Sequence, residues 1–221
     1  GQAVTVEASG TFDHWPVKSW VDGKGVEVEA GADKGKLSIR VAPDAEPGVR
    51  WIRLYDEEGA TDLRPFLIGT LPEVIEKEPN NEPGHPQDVA ILAVVNGRLA
   101  KSGDVDGFSV TLGEGQTLVG DLEANRHLGS PMDAVLQVAT PSGVVLAQND
   151  DTVGRDPRVV FRAPSAGRYL VRVFAFPAAP DASIRFAGGE AFVYRLTLTA
   201  GGFLDHAFPL AVSQASPATV A

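Results

Sequence analysis

The chain has 221 residues, of which 43% are hydrophobic and 22% charged, a composition typical of folded domains and not of a disordered chain. Its formal net charge of −10 repels phosphate backbones and anionic lipid surfaces, which argues against a nucleic-acid partner. The sequence has no cysteine, which excludes disulfides, thiolate zinc sites and thiol nucleophiles, and no apolar run approaches the roughly 20 residues of a membrane-spanning helix.

Short runs of alternating apolar and polar residues dominate residues 1–70, whereas helical periodicity is nearly absent. The predicted strands are residues 3–8, 26–29, 36–41, 49–55 and 64–68. Residues 43–48 have the proline and glycine composition of a turn between two strands. This turn resembles one in bacterial immunoglobulin-like and TIG-like modules. We therefore expect residues 1–70 to form a small immunoglobulin-like β-sandwich.

Residues 71–86 differ in composition, because proline and acidic residues replace the alternating pattern. Such a segment is typical of an inter-domain linker. A solvated charged connector with no further role is the alternative interpretation.

The alternation resumes beyond the linker, over residues 87–200. The predicted strands are residues 108–112, 117–123, 134–138, 144–147, 159–161, 169–174 and 193–198. In the last strand Tyr194, Leu196 and Leu198 share one face, which indicates a sheet with one buried and one solvated side. The pattern predicts a second, larger sandwich of jelly-roll character. The fold class is thus all-β, with two β-sandwiches in succession.

Residues 201–221 begin a different pattern and are interpreted as a tail that starts a following domain. The closing sequence Ala218-Thr219-Val220-Ala221 is similar to the opening Ala3-Val4-Thr5-Val6-Glu7. We hypothesise that the first sandwich lacks an edge strand and that the tail supplies it by strand addition, from the same or a neighbouring chain.

Three motifs occur in an order that resembles a known family. They are Glu78-Pro79-Asn80-Asn81, Gly103-Asp104-Val105-Asp106-Gly107-Phe108 and Gly167-Arg168-Tyr169-Leu170-Val171-Arg172-Val173. Over residues 76–200 the chain resembles the bacterial pre-peptidase C-terminal domain, whose calcium-binding relatives include the collagen-binding domains of clostridial collagenases. The resemblance implies a binding or spacer domain of an exported protein.

Oxygen-bearing side chains around the linker predict a calcium site, because Ca²⁺ takes six to eight oxygen ligands and several carboxylates must converge on it. In an extended segment alternate residues project to the same side and can meet the loop that follows. The first candidate site is Glu76, Glu78, Asn80, Asp104 and Asp106. The calcium-binding relatives use matching positions.

Two positions depart from those relatives. Asn81 stands where some carry aspartate, and Gly107 stands where a bulkier residue is common. Both departures are expected to weaken a site without abolishing it.

A second candidate metal site comes from loops that the sandwich can bring to one end. Its members are Asp133, Asp150, Asp151 and Asp156. The alternative is that Asp150 and Asp151 only end strands and form turns.

The sequence lacks signatures of catalysis. The four histidines are scattered with no His-Glu-x-x-His pair, and no nucleophile elbow or phosphate-binding loop occurs. Trp15 and Trp20 lie in a proline-containing stretch that is predicted to be a loop, so they are the candidates for an exposed ligand surface. Core packing is the alternative use of these aromatic residues.

The leading expectation is a non-catalytic, calcium-assisted structural and ligand-binding segment of a larger exported bacterial multidomain protein. It would be secreted, periplasmic or at the cell surface, and its partners would be other domains of the parent protein and an extracellular polymer, either protein or polysaccharide. The alternatives are a carbohydrate-binding or adhesion module with an aromatic surface and an accessory region of a secreted hydrolase.

Overall fold

The computed structural model describes residues 2–177, 185–202 and 204. Its regular elements in this part of the chain are β-strands and one short helix, so the predicted all-β class is confirmed. The first six strands are β1 (Gln2–Glu7), β2 (Lys18–Val21), β3 (Val26–Ala30), β4 (Lys36–Val41), β5 (Gly48–Tyr55) and β6 (Arg64–Ile68).

These six strands form two three-stranded antiparallel sheets, in the orders β1-β4-β3 and β2-β5-β6. Every second residue points inward, so Val26, Val28 and Ile39 of the first sheet pack against Ile52 and Leu54 of the second. The predicted small sandwich is present. Strand β2 was not predicted, because the stretch that contains Trp20 was interpreted as a loop.

The remaining elements are β7 (Glu73–Ile75), β8 (Gln87–Asp88), β9 (Ala93–Arg98), β10 (Asp106–Leu112), β11 (Thr117–Glu123), α1 (Asn125–Leu128), β12 (Met132–Ala139), β13 (Val145–Asn149), β14 (Arg158–Arg162), β15 (Gly167–Pro177) and β16 (Val193–Ala200). They form two five-stranded sheets, in the orders β14-β11-β16-β9-β7 and β13-β12-β15-β10-β8. One continuous apolar core joins the two sheets. It includes Leu118, Leu196 and Leu198 from one sheet and Phe108 and Leu136 from the other.

The segment predicted to be a linker contributes to this second sandwich. Its strand β7 pairs in parallel with β9, and Val74 packs against the core. Just beyond the segment, β8 pairs in parallel with β10. Residues 71–88 therefore add one edge strand to each sheet, and β8 pairs with β10, the strand that begins at the candidate ligand Asp106.

The strands of the two smaller sheets lie within residues 2–68 and those of the two larger sheets within residues 73–200. The proposed docking of the tail, residues 203–221, falls almost entirely outside the described residues. Among the residues that the structure describes, no helix has the length and apolar character needed to cross a bilayer.

Candidate metal centre

Three carboxylates converge where the segment after β7 passes the start of β10. One oxygen from each of Glu76, Glu78 and Asp106 lies within 4.8 Å of the other two. Glu76 is half-buried, Glu78 exposed and Asp106 buried, so the group opens to solvent on one side. Two oxygens that bind one Ca²⁺ are at most about 5 Å apart, so this spacing fits a shared calcium ion.

Backbone pairing places Glu76 at this point. The Glu76 N–H donates to the Asn96 carbonyl at 3.0 Å, which continues the β7–β9 ladder by one residue. The Arg98 N–H donates to Glu76 Oε2 at 2.8 Å, which fixes the side chain. The position of Glu76 therefore follows from the parallel pairing of β7, which the sequence pattern did not predict.

Asp106 and Asn80 each have one buried oxygen without a hydrogen-bond partner. Tyr194 donates its hydroxyl proton to Asp106 Oδ2 at 2.5 Å, whereas Asp106 Oδ1 is buried and has no hydrogen-bond partner. Asn80 is 1% exposed, and its Oδ1 is likewise buried without a partner. Because an unsatisfied buried acceptor is costly, the unpartnered Asp106 oxygen beside two other carboxylates indicates a place for a cation.

The electrostatics of the protein without a cation agree with this interpretation. Burial, together with the smaller effect of the neighbouring charges of Glu76, Asp104 and Glu78, raises the pKa of Asp106 from 3.8 to about 9, although the Tyr194 hydrogen bond lowers it. Burial also raises the pKa of Glu76, with repulsion from Glu78 in the same direction. Burial holds the pKa of Tyr194 well above its usual range, so this hydroxyl stays a donor.

Asp104, a member of the first predicted site, is not among the three converging carboxylates. Asn81 Nδ2 donates to its Oδ1 at 2.8 Å, and the Ala100 N–H donates to its Oδ2 at 2.6 Å. Both oxygens of this fully buried side chain are thus engaged with protein groups. Asp104 and Asn81 hold the turn before β10 against the segment that carries Asn80.

Gly107 permits the close approach of that segment. A Cβ atom at this position would lie 2.7 Å from the Asn80 carbonyl oxygen, which is too close for any real side chain. The absence of a side chain at Gly107 thus lets the Asn80 backbone lie against β10, whereas the expected effect of Gly107 on a metal site stays a prediction.

Residues 104–175 match the family model described as the bacterial pre-peptidase C-terminal domain. The second sandwich contains a pre-peptidase C-terminal domain. The sequence-based identification is thereby confirmed. The matched part of the pre-peptidase C-terminal domain begins at Asp104 and includes Asp106, whereas Glu76, Glu78 and Asn80 precede it.

A probable subtilase-type serine protease of Deinococcus radiodurans is 32% identical to this chain over 121 residues. The alignment covers 52% of this chain and 15% of the protease. The chain therefore spans only a small part of the length of this relative.

Two solved structures show a weaker likeness. The pre-peptidase C-terminal domain of a Bacillus anthracis collagenase gives a TM-score of 0.38 at 15% identity, covering 54% of this chain and all 100% of that domain. The periplasmic inhibitor of g-type lysozyme from Aeromonas hydrophila gives a TM-score of 0.36 at 15% identity, covering 58% of this chain and 99% of the inhibitor. Both scores are low, and the family assignment rests on the sequence match.

The second predicted metal cluster of the pre-peptidase C-terminal domain is arranged differently. Burial and the negative charge of Asp151 raise the pKa of Asp133, and Asp150 raises it slightly, whereas Arg155 lowers it. These charged groups therefore lie near one another. Asp150 and Asp151 are exposed. In the described part of the chain, the group of Glu76, Glu78 and Asp106 is the only one of three or more carboxylates whose oxygens converge.

Asp156, the fourth member of this predicted cluster, accepts hydrogen bonds from the backbone with both carboxylate oxygens. Its Oδ1 accepts the N–H groups of Ala124 and Asn125 at 3.2 and 2.7 Å, and its Oδ2 accepts the Arg126 N–H at 3.1 Å. This buried carboxylate therefore satisfies the backbone where α1 begins.

The two tryptophans of the predicted ligand surface lie in different environments. Trp15 is half-buried against the core of the first sandwich, and its indole N–H donates to the Gly31 carbonyl at 2.8 Å. Its ring packs edge-on against Phe12 with centroids 5.3 Å apart. Trp15 is thus used in packing, whereas Trp20 lies on β2 and is 49% exposed.

Proposed function

We propose that this chain is a non-catalytic, calcium-assisted segment of a larger exported protein, in which it holds neighbouring domains of the same parent in position. The observation that supports the metal is the buried, unpartnered oxygen of Asp106, Oδ1, in a carboxylate that converges with those of Glu76 and Glu78. All of these donors are oxygens, and a hard cation such as Ca²⁺ prefers oxygen ligands.

Glu76, Glu78 and Asp106 would hold the ion through carboxylate oxygens, and Asn80 would add an amide oxygen. The Asn80 Nδ2 group now donates to Glu76 Oε1 at 3.2 Å. A half-turn of this amide would exchange its nitrogen and oxygen and aim Oδ1 toward the carboxylates. The bound ion would supply the positive charge that makes three ionised carboxylates compatible at this distance.

The structural effect of the ion would be to fix the segment that enters the second sandwich. Residues 73–76 already pair with β9, and the Lys77 N–H donates to Gln87 Oε1 of β8 at 2.7 Å. Three of the four proposed ligands belong to this segment, and Asp106 belongs to β10. Calcium would therefore join the connector to the sandwich and restrict how the preceding domain moves.

The accessory role is supported by the family match and by the subtilase-type relative, of which the alignment covers a small part. An exported location follows from the same proposal, because pre-peptidase C-terminal domains are parts of exported proteins. We expect the isolated chain to have no peptidase activity on casein, and measurable hydrolysis would contradict the assignment as non-catalytic.

Calcium titration by calorimetry tests the metal site. We expect one calcium per chain for the wild type and no binding for Asp106→Asn, whereas Glu114→Gln, an exposed turn position, should bind as the wild type does. At a hundredfold excess of calcium over its Kd, the free energy of unfolding should rise by about 2.7 kcal/mol. If the wild type shows neither heat of binding nor a rise in Tm, the proposed site is wrong.

A further inference from the structure

The two outer faces of the first sandwich differ in composition. On the sheet β1-β4-β3, opposite charges face each other across the strands, with Glu27 opposite Arg40 and Glu7 opposite Lys36. This is an ordinary solvated face. The outward strand positions of the sheet β2-β5-β6 instead bring together three aromatic rings and two cations, namely Lys18, Trp20, Trp51, Arg53 and Tyr55.

Strand register places the rings around one guanidinium group. Trp20 lies directly opposite Arg53, and Lys18 lies directly opposite Tyr55. Trp51 and Tyr55 are two residues before and after Arg53 on β5, so they share its face. Rings and cations therefore alternate both along β5 and across to β2. We call these five residues the aromatic–cationic face.

The groups of the aromatic–cationic face are available to a ligand. Trp20, Trp51 and Tyr55 are 49%, 38% and 37% exposed, although the core of the sandwich is supplied by the alternate residues of the same strands. Within the described residues, neither indole N–H has an acceptor and the three rings make no contact with one another. In the same part of the chain, Lys18 and Arg53 have no ion-pair partner.

The outward strand positions of this face also carry no carboxylate, although the whole chain has 29 acidic and 19 basic residues. Asp22, which follows β2, is engaged with the backbone, since its Oδ1 accepts the Trp51 N–H at 2.5 Å. In a chain of net charge −10, a local group of unpaired cations selects for negatively charged ligands.

We infer that the aromatic–cationic face binds an acidic polysaccharide, a glycan whose sugars carry carboxylate or sulfate groups. The apolar C–H face of a pyranose ring can stack on an exposed indole or phenol ring, and sugar hydroxyls can accept the indole N–H. A guanidinium group forms paired hydrogen bonds with a carboxylate or sulfate. The inference is independent of the calcium site, because none of its residues contributes to that site.

The alternation of rings and cations favours a polymer over a folded protein partner. Trp51 and Tyr55 are four residues apart on β5, a separation of roughly 13 Å along a strand. A chain of repeating sugars presents a ring surface and an acid group at regular intervals, and it can lie along an open sheet face. A protein interface would centre on a contiguous, fully desolvated apolar cluster, which the intervening Arg53 interrupts.

The test is calorimetric binding to polygalacturonate and to chondroitin sulfate in EDTA, so that calcium cannot bridge protein and polymer. Fully methyl-esterified polygalacturonate is the matched neutral polymer. We expect the wild type to bind at least one acidic polymer and to bind the neutral polymer less tightly. Trp51→Ala and Arg53→Gln should each weaken binding about tenfold, which corresponds to a loss of roughly 1.4 kcal/mol.

Arg40→Gln removes an exposed cation from the opposite outer face and is the matched control, with binding expected to equal that of the wild type. Asp106→Asn should also bind the polymer normally, which separates this inference from the proposed calcium site. The inference is overturned if neither acidic polymer binds, if the neutral polymer binds equally well, or if Arg40→Gln weakens binding as much as Arg53→Gln. Binding of poly-glutamate in place of both polysaccharides would overturn it in favour of a protein partner.

Discussion

The Tyr194 hydroxyl donates to Asp106 Oδ2 and leaves Asp106 Oδ1 buried and unpartnered, although 88 residues separate the two positions in sequence. One oxygen of the carboxylate is thus fixed by the core strand β16, and the other is the one that we propose binds calcium. The hydrogen bond orients the Asp106 carboxylate and leaves Oδ1 unpartnered. Hydrogen bonds from surrounding residues commonly orient metal ligands in this way.

Removing the Tyr194 hydroxyl should therefore weaken calcium binding. We expect Tyr194→Phe, which keeps the buried ring, to lower calcium affinity about 10- to 100-fold, because Asp106 loses the group that orients it. Calorimetric titration measures the change. Tyr169→Phe is the matched control, since the Tyr169 hydroxyl donates to the Ser165 carbonyl at 2.7 Å, and it should lower stability by about 1 kcal/mol without changing calcium affinity. Unchanged affinity in Tyr194→Phe would show that Asp106 does not depend on this contact.

The raised pKa of Asp106 predicts how the stability of the calcium-free protein depends on pH. Between pH 3.8 and about 9 the folded protein retains a proton that the unfolded chain has released. This contribution to the free energy of unfolding is fully present below pH 3.8 and is lost as pH rises toward about 9.

Denaturant unfolding in EDTA at a series of pH values measures this loss, and Asp106→Asn should reduce it because its amide does not titrate. Calcium should stabilise the wild type more at pH 8 than at pH 5, because the ion competes with the proton. A variant that follows the wild-type pH dependence in EDTA would mean that Asp106 is ionised in the folded protein throughout this range.

The requirement for Gly107 gives a steric test of the same site. A methyl group there would meet the Asn80 carbonyl oxygen at 2.7 Å and force the connector away from Asp106. We expect Gly107→Ala to weaken calcium binding and to lower the free energy of unfolding by about 1–3 kcal/mol. Gly167→Ala, where a Cβ meets nothing within 4 Å, should change neither by a comparable amount. Calcium affinity equal to that of the wild type in Gly107→Ala would contradict the proposed placement of Asn80.

Local alternation was sufficient to predict most strands of both sandwiches, because strands such as β3 and β16 have one buried and one more exposed face. It failed at β9, where the apolar residues Ala93, Val94 and Val95 are followed by Asn96 and Gly97. An asparagine–glycine pair is usually a turn signal, yet here it continues the strand against Tyr194. A Cβ at Gly97 would lie 2.3 Å from the Tyr194 ring, so packing, not turn formation, accounts for this glycine.

The candidate site could be predicted only in part for a similar reason. Glu76 and Glu78 alternate along one extended segment, and spacing alone placed them on one side. The contribution of Tyr194 comes from a distant strand, and no local pattern distinguishes it from a core tyrosine. Trp15 and Trp20 are near neighbours in sequence, but only the observed pairing of β2 with β5 shows which of them faces solvent.

Asp156 distinguishes a structural acid from a metal ligand. Its two oxygens accept three backbone N–H groups, so Asp156→Ala would leave these donors unsatisfied in a buried position. We expect the free energy of unfolding to fall by about 2–4 kcal/mol, because each orphaned buried donor is costly. Calcium affinity and stoichiometry should stay at the wild-type values, since the carboxylate has no role in the first site. Asp150→Ala, at an exposed position, should change stability by less than about 0.5 kcal/mol. Loss of a second equivalent of bound calcium in Asp156→Ala would instead establish the second metal site and refute the structural role.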